Sequence, residues 1–224
     1  MDFITKMFEL YISRFDFFLK LFIEHIIICF SAIGLISVIG ILLGIYITRN
    51  KRAARVILSI ADFLYTIPSI ALFGFLVTVT GIGNTSAIIA LVTYGILPML
   101  RSTYVGIIEV EAQVVESAVA MGSTDMQLLW KIQLPLALPF IMAGFRTMVV
   151  MTIALGGIAS FIGAGGLGVA IWRGITTSFP EMTAAGSLLV AGLAISSNVI
   201  LEFVEGKIRR KVLGQRNMGV DFID

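Results

Sequence analysis

The sequence predicts an all-α integral membrane protein with about five transmembrane helices, and three observations carry that expectation. Hydrophobic residues make up 58% of the 224 residues and charged residues only 13%, and the mean hydropathy is +1.01. The charges are segregated, since residues 56–100 contain only Asp62, residues 132–172 only Arg146, and residues 182–201 none. The apolar runs are continuous and built from Leu, Ile, Val and Phe, whereas the strands of a membrane barrel would alternate over about ten residues.

The elements follow in order. The first 20 residues, MDFITKMFELYISRFDFFLK, intersperse Phe3, Ile4, Met7, Phe8, Leu10 and Tyr11 with Asp2, Lys6, Glu9, Arg14 and Asp16. That pattern suits a helix at the membrane interface or an ordered lead-in to the first span. The apolar run after it is too long for a signal-peptide core and lacks a compact basic region before it, so the first span is expected to be retained. A helix needs about 20 apolar residues to cross roughly 30 Å of hydrocarbon. Spans are therefore expected near 23–48, 56–80, 86–108, 136–160 and 184–205. The expected organisation is an interfacial segment 1–22, a transmembrane domain 23–206 with a polar loop at about 109–135, and a tail 207–224.

Basic residues set the orientation. Arg49, Lys51, Arg52 and Arg55, then Arg101 and Lys131, then Lys207, Arg209, Arg210, Lys211 and Arg216 all fall on one side of a five-span arrangement. The other side holds Lys6, Arg14, Lys20 and Arg173. The positive-inside rule then predicts an external N-terminus, a cytoplasmic C-terminus and a cytoplasmic polar loop. The net charge of +2 sits where membrane insertion puts it and needs no nucleic-acid partner.

Within that loop, residues 116–135 (ESAVAMGSTDMQLLWKIQLP) form a polar island between apolar segments. Thr124 and Gln127 have capping-box spacing, and Gly122 just before them can end a helix in a left-handed conformation. The island thus reads as helix, sharp turn, helix. The first helix, about 111–121, would place Val114, Val115, Ala118 and Met121 near one face and leave Glu116 free. Pro135 and Pro139 mark a stiff re-entry into the membrane, because proline is tolerated best near a helix start.

The spacing of Glu116, Ser117, Ala118, Gly122, Ile132, Leu134 and Pro135 resembles the cytoplasmic "EAA" signature of ATP-binding-cassette importer permeases, with Ser117 in place of the usual second alanine. The stretches 66–75 (TIPSIALFGF), 81–83 (GIG) and 161–168 (FIGAGGLG) look like the osmoprotectant branch of that family, which imports glycine betaine, carnitine, choline and related quaternary amines. The likeness covers roughly 56–204. It implies a type I importer permease fold in which Glu116, Ser117, Ala118, Gly122, Ser123, Thr124 and Asp125 form a coupling helix docked on the ATPase, anchored by Ile132, Leu134 and Pro135. It also implies two ATP-binding-cassette subunits that bind ATP and Mg, a second permease subunit, identical or related, an extracytoplasmic substrate-binding protein, and a bacterial or archaeal cytoplasmic (inner) membrane. Related amino-acid importers share parts of the pattern.

The residue inventory points the same way. No phosphate-loop pattern occurs; Gly206-Lys207 continues with Ile208. No cofactor is expected in this chain. His25 is the single histidine and Cys29 the single cysteine, which excludes a His-based metal cluster, a Cys-His pair and a disulfide framework, so no metal site and no enzyme are expected. A passive channel or a membrane scaffold is the alternative of a different class.

The remaining candidates concern the pathway. An ionisable side chain at mid-helix costs about 2.5–3.5 kcal/mol on insertion scales, so Asp62 and Arg146 should face protein or water; Asp62 either attracts a cationic substrate, pairs with Arg146 or sits near the cytoplasmic mouth. Pro68 frees a carbonyl in the same span as Asp62. Tyr65, Phe73, Phe75 and Tyr94 are either packing residues or faces for a quaternary ammonium. The glycine-rich run 156–168 is either a hinge at the pathway mouth or a close-packing surface. His25 and Cys29, four residues apart, read as packed or lipid-facing.

Overall fold

The protein is described by a computed structural model over residues 3–213; of the expected tail, 214–224 lie outside the described residues, Arg216 among them, as do Met1 and Asp2. A short helix α1 (Phe3–Ser13) precedes α2 (Phe15–Thr48), a single run of 34 residues with no proline in it. Then come α3 (Lys51–Thr66), α4 (Ser69–Thr80), α5 (Asn84–Ile108), α6 (Ala112–Ala120) and α7 (Asp125–Leu128). A π-helical segment Leu129–Gln133 leads into α8 (Leu134–Ala159), a 3-10 turn Ser160–Ile162, α9 (Gly168–Thr176) and α10 (Pro180–Leu213). Four helical runs are long and apolar enough to span a membrane, and α3 with α4 makes a fifth if the bent pair is one span.

Two prolines shape continuity in different ways. The segment 56–80, expected as a single span with Pro68 inside it, is two helices bent by 100°. Pro68 lacks the amide that would continue the ladder and drives Ile67 out of the helical region, so Ile67 (φ −65°, ψ 129°) and Pro68 (φ −56°, ψ 132°) are both extended. Pro135, by contrast, does not begin a new span. Helix runs from Asp125 to Ile162, and the Leu134 amide reaches Leu129 O one residue further back than in an α-helix. This wider turn accommodates the donor missing at Pro135.

The core is the contact of α2, α5 and α8, where Ile36, Ala90, Leu91, Met99 and Met148 are fully buried. Close approach is built in: a Cβ on Gly44 of α2 would collide with the Thr103 side chain of α5. At one end, Met7, Leu10, Phe18, Leu21, Leu167, Ala170 and Met182 join α1, α2, α9 and α10. There the Tyr11 hydroxyl donates to Ala185 O at 2.7 Å and Lys6 approaches Glu181 at 3.9 Å. Burial pushes the Tyr11 pKa up, which keeps the hydroxyl a donor. At the other end, Ile47, Ala54, Ala61, Leu97 and Leu100 pack α3 against α2 and α5.

Candidate functional site

The polar island folds as its turn residues dictate. Gly122 adopts φ +87°, its amide donates to Val119 O at 2.9 Å, and the Ser123 amide donates to Ala118 O at 3.1 Å. This 5→2 and 6→1 pair is a Schellman closure, which satisfies the last carbonyls of α6. Two residues on, Thr124 Oγ1 accepts from the Gln127 amide at 3.3 Å while Gln127 Oε1 accepts from the Thr124 amide at 3.0 Å. That is the expected capping box. Glu116, Ser117, Thr124 and Asp125 are exposed, Ser123 is half-buried and Ala118 is buried. Ser117 does not alter the helix, because its hydroxyl folds back on Gln113 O at 2.7 Å.

The apolar face of α6 is covered only in part within this chain. Ala118 and Val115 turn inward, whereas Val114 and Met121 are exposed, Met121 at 80%. Ile132 and Leu134 are half-buried and Pro135 is exposed, on the π segment and the start of α8. Behind the hairpin, a cleft joins the end of α2 to the end of α5 and to α7, lined by Arg49, Ile107, Asp125, Leu128 and Gln133. Sequence reasoning missed a second exposed pair: Trp130, 60% exposed, donates its indole N–H to Met126 Sδ at 3.0 Å. The i, i+4 spacing was available, but the π segment that turns Trp130 outward was not.

Among the pathway candidates, Asp62 and Arg146 do not pair. Asp62 accepts from Arg101 Nη2 at 2.6 Å, joining α3 to α5. Arg146 lies between Glu202 at 3.4 Å and Glu205 at 3.1 Å, joining α8 to α10. The Arg146–Glu205 contact is a charge contact without hydrogen-bond alignment. Glu202 and Glu205 went unnoticed as partners because they close the last span, where they read as its boundary.

Tyr65 and Tyr94 come together edge-to-face, with centroids 6.1 Å apart and planes at 67°. The Tyr94 hydroxyl donates to the Ile67 carbonyl at the helix break, and the Tyr65 hydroxyl points to Met151 Sδ at 3.6 Å. Tyr94 is 5% exposed and Tyr65 43%. Pro68 caps α4 beside them. Phe73 is elsewhere in role: at 1% exposed it belongs to the core, while Phe75 is 64% exposed.

The glycine-rich run is tied down by its neighbours. Gly163 (φ +76°) and Gly166 (φ +95°) shape the turn. The Gly165 amide donates to Asn84 Oδ1 at 3.1 Å, the Gly166 amide to Glu24 Oε2 at 3.2 Å, and the Gly83 amide to Ile162 O at 3.1 Å. His25 and Cys29 are 1% and 2% exposed beneath it, packed as expected, with His25 Nε2 at 3.2 Å from Ile153 O.

Comparison with known proteins gives this geometry a context. Residues 36–212 match the family described as binding-protein-dependent transport system inner membrane component. The chain is 38% identical over 208 residues, 92% of each protein, to the carnitine transport permease protein OpuCD of Listeria monocytogenes. It is 39% identical over 185 residues to the choline transport system permease protein OpuBB of Bacillus subtilis, covering 83% of this chain and 85% of that one. A match to the ergothioneine transport permease/ergothioneine binding protein EgtU of Helicobacter pylori is 43% identical over 157 residues, covering 70% of this chain but only 28% of that longer protein. In solved structures the fold recurs in the inward-facing MetNI methionine ABC transporter, with TM-score 0.72, 24% identity and coverage of 89% and 96%. It recurs also in an amino acid ABC transporter crystallised with histidines, with TM-score 0.70, 17% identity and coverage of 94% and 99%. The chain belongs to the family of binding-protein-dependent transport system inner membrane components, and is a permease of that kind.

Proposed function

We propose that this permease belongs to an ATP-driven importer of quaternary-amine osmoprotectants and works by alternating access. The observation that carries the ATP-driven part is the hairpin 112–128, closed by a Schellman turn and a capping box and continued without a break into α8. A short exposed helix locked to a span can pass on a push. Residues Glu116 to Asp125 would dock on a cytoplasmic ATPase, held by Ile132, Leu134 and Pro135. Closure of two ATPases on ATP and Mg then draws two coupling hairpins together, the spans rock outward to receive substrate from a binding protein, and hydrolysis returns them. A second permease subunit supplies the other half of the pathway.

The substrate class rests on relatives named for carnitine, choline and glycine betaine, which share a trimethylammonium head. Orientation is inferred from charge: Arg49, Lys51, Arg52 and Arg55 lie at the same end as the hairpin, which supports a cytoplasmic hairpin and C-terminus and an external N-terminus. The test is uptake competition among glycine betaine, carnitine, choline and amino acids in vesicles holding the copurified complex, with ATP hydrolysis followed in parallel. Hydrolysis stimulated by a loaded binding protein supports the importer. Passive flux without an ATPase would mean a channel, and uptake displaced only by amino acids would move the chain to that branch.

A further inference from the structure

We propose that the break between α3 and α4, with Tyr65 and Tyr94 beside it, is a transit site for a quaternary ammonium group, an inference that rests on the substrate class proposed above. The first argument is backbone hydrogen bonding. The break lies between the two membrane faces: α3 starts at the basic end next to Arg49 and Asn50, while beyond α4 Gly83 is bonded to Ile162 at the opposite end. Thr66 and Pro68 are exposed and extended backbone connects the two helices there. Hydrocarbon cannot satisfy such a backbone, so it must face a water-filled cavity or another protein surface. Interrupted spans of this kind place ligand-binding groups near the middle of a membrane.

The chemistry of the break selects the ligand. It exposes both partial charges, the carbonyl end of α3 and the amide end of α4. The aromatic pair belongs to the carbonyl end, because Tyr65 is in the last turn of α3. Tyr94 is fixed by its bond to Ile67 O and buried, and it braces Tyr65 edge-to-face with the Tyr65 ring left 43% exposed. A ring held in this way offers a pre-positioned face to a cation. Among the described residues the acidic side chain of α3, Asp62, one turn earlier, is paired with Arg101. Attraction through ring and dipoles alone suits a site that must also release its ligand.

The experiment uses the permease–ATPase complex in lipid nanodiscs without binding protein, with radiolabelled choline as the probe. Saturable binding is expected, displaced by tetramethylammonium but not by 3,3-dimethylbutan-1-ol, which has the shape of choline without its charge. Tyr65→Phe should keep that affinity within about twofold and Tyr65→Leu weaken it about tenfold. Equal displacement by the neutral alcohol, no saturable binding, or unchanged binding by Tyr65→Leu would overturn the proposal. Thr66→Cys supplies a measurement that does not depend on the assembly of Tyr65→Leu: Cys29, the single cysteine of this chain, is buried, so labelling of the permease subunit by a charged maleimide reports the break. Labelling blocked by choline is expected, and an unreactive Thr66→Cys would mean that protein covers the break and no site exists. Uptake driven by binding protein is run alongside. Choline uptake without saturable binding overturns this site only, whereas no uptake of any quaternary amine removes the substrate class beneath it.

Discussion

Pro68 and Pro135 remove the same amide from apolar helices and have opposite consequences. At Pro68 the chain leaves the helix and the two halves diverge by 100°. At Pro135 the preceding turn widens, Leu134 bonds to Leu129, and helix continues from Asp125 to Ile162. A proline breaks a helix only where the turn before it cannot redistribute its carbonyls. At Pro68 the Ile67 carbonyl is taken by a distant side chain, Tyr94, which holds the break open. The first arrangement makes an open corner and the second a stiff shaft attached to a hairpin.

That contrast can be broken first at the shaft. Gly122→Pro cannot adopt φ +87° and loses the amide bonded to Val119, a change costing about 3 kcal/mol or more in the hairpin. It should abolish ATP-coupled uptake while membrane insertion persists, and normal uptake would sink the coupling role. Pro68→Ala restores an amide at the corner. Spin labels at positions 56 and 79 should move apart as the bend opens, with uptake falling severalfold; an unchanged distance would show that tertiary packing, not proline, holds the bend. Thr124→Ala removes one half of the capping box, with an expected loss of about 1 kcal/mol and partial uncoupling read as hydrolysis per molecule transported. The smallest effect is expected from Asp62→Asn. Both partners are about half exposed, so the melting temperature should fall by the equivalent of about 1 kcal/mol or less. A large drop would mean that the pair is shielded in the assembled complex.

What the sequence revealed and what it withheld divide by range. The spans were legible because hydropathy is a local sum, and the hairpin because Gly122, Thr124 and Gln127 act within six residues of one another. Pro68 was visible as a potential kink, but not the angle, which depends on what captures Ile67 O from α5. The sequence leaves the partner of Asp62 open among alternatives because Asp62 and Arg101 are 39 positions apart, and the choice of partner among scarce charges depends on which helices touch. The cover over α6 was not legible for the same reason, since a helical period says where apolar residues align and not whether another element covers them.

The tie between Tyr11 and Ala185 spans 174 positions, and it has a consequence for synthesis. The N-terminal helix α1 shares its apolar cluster with Phe18 and Leu21 of α2 and with Met182 and Ala185 of α10, so its seat is complete only once α10 has been inserted. Contacts of that separation form late and close the fold cooperatively. A chain stopped before α10 would leave Met7 and Leu10 without Met182 and Ala185, their neighbours from α10. The N-terminal helix thus registers whether α10 is in place.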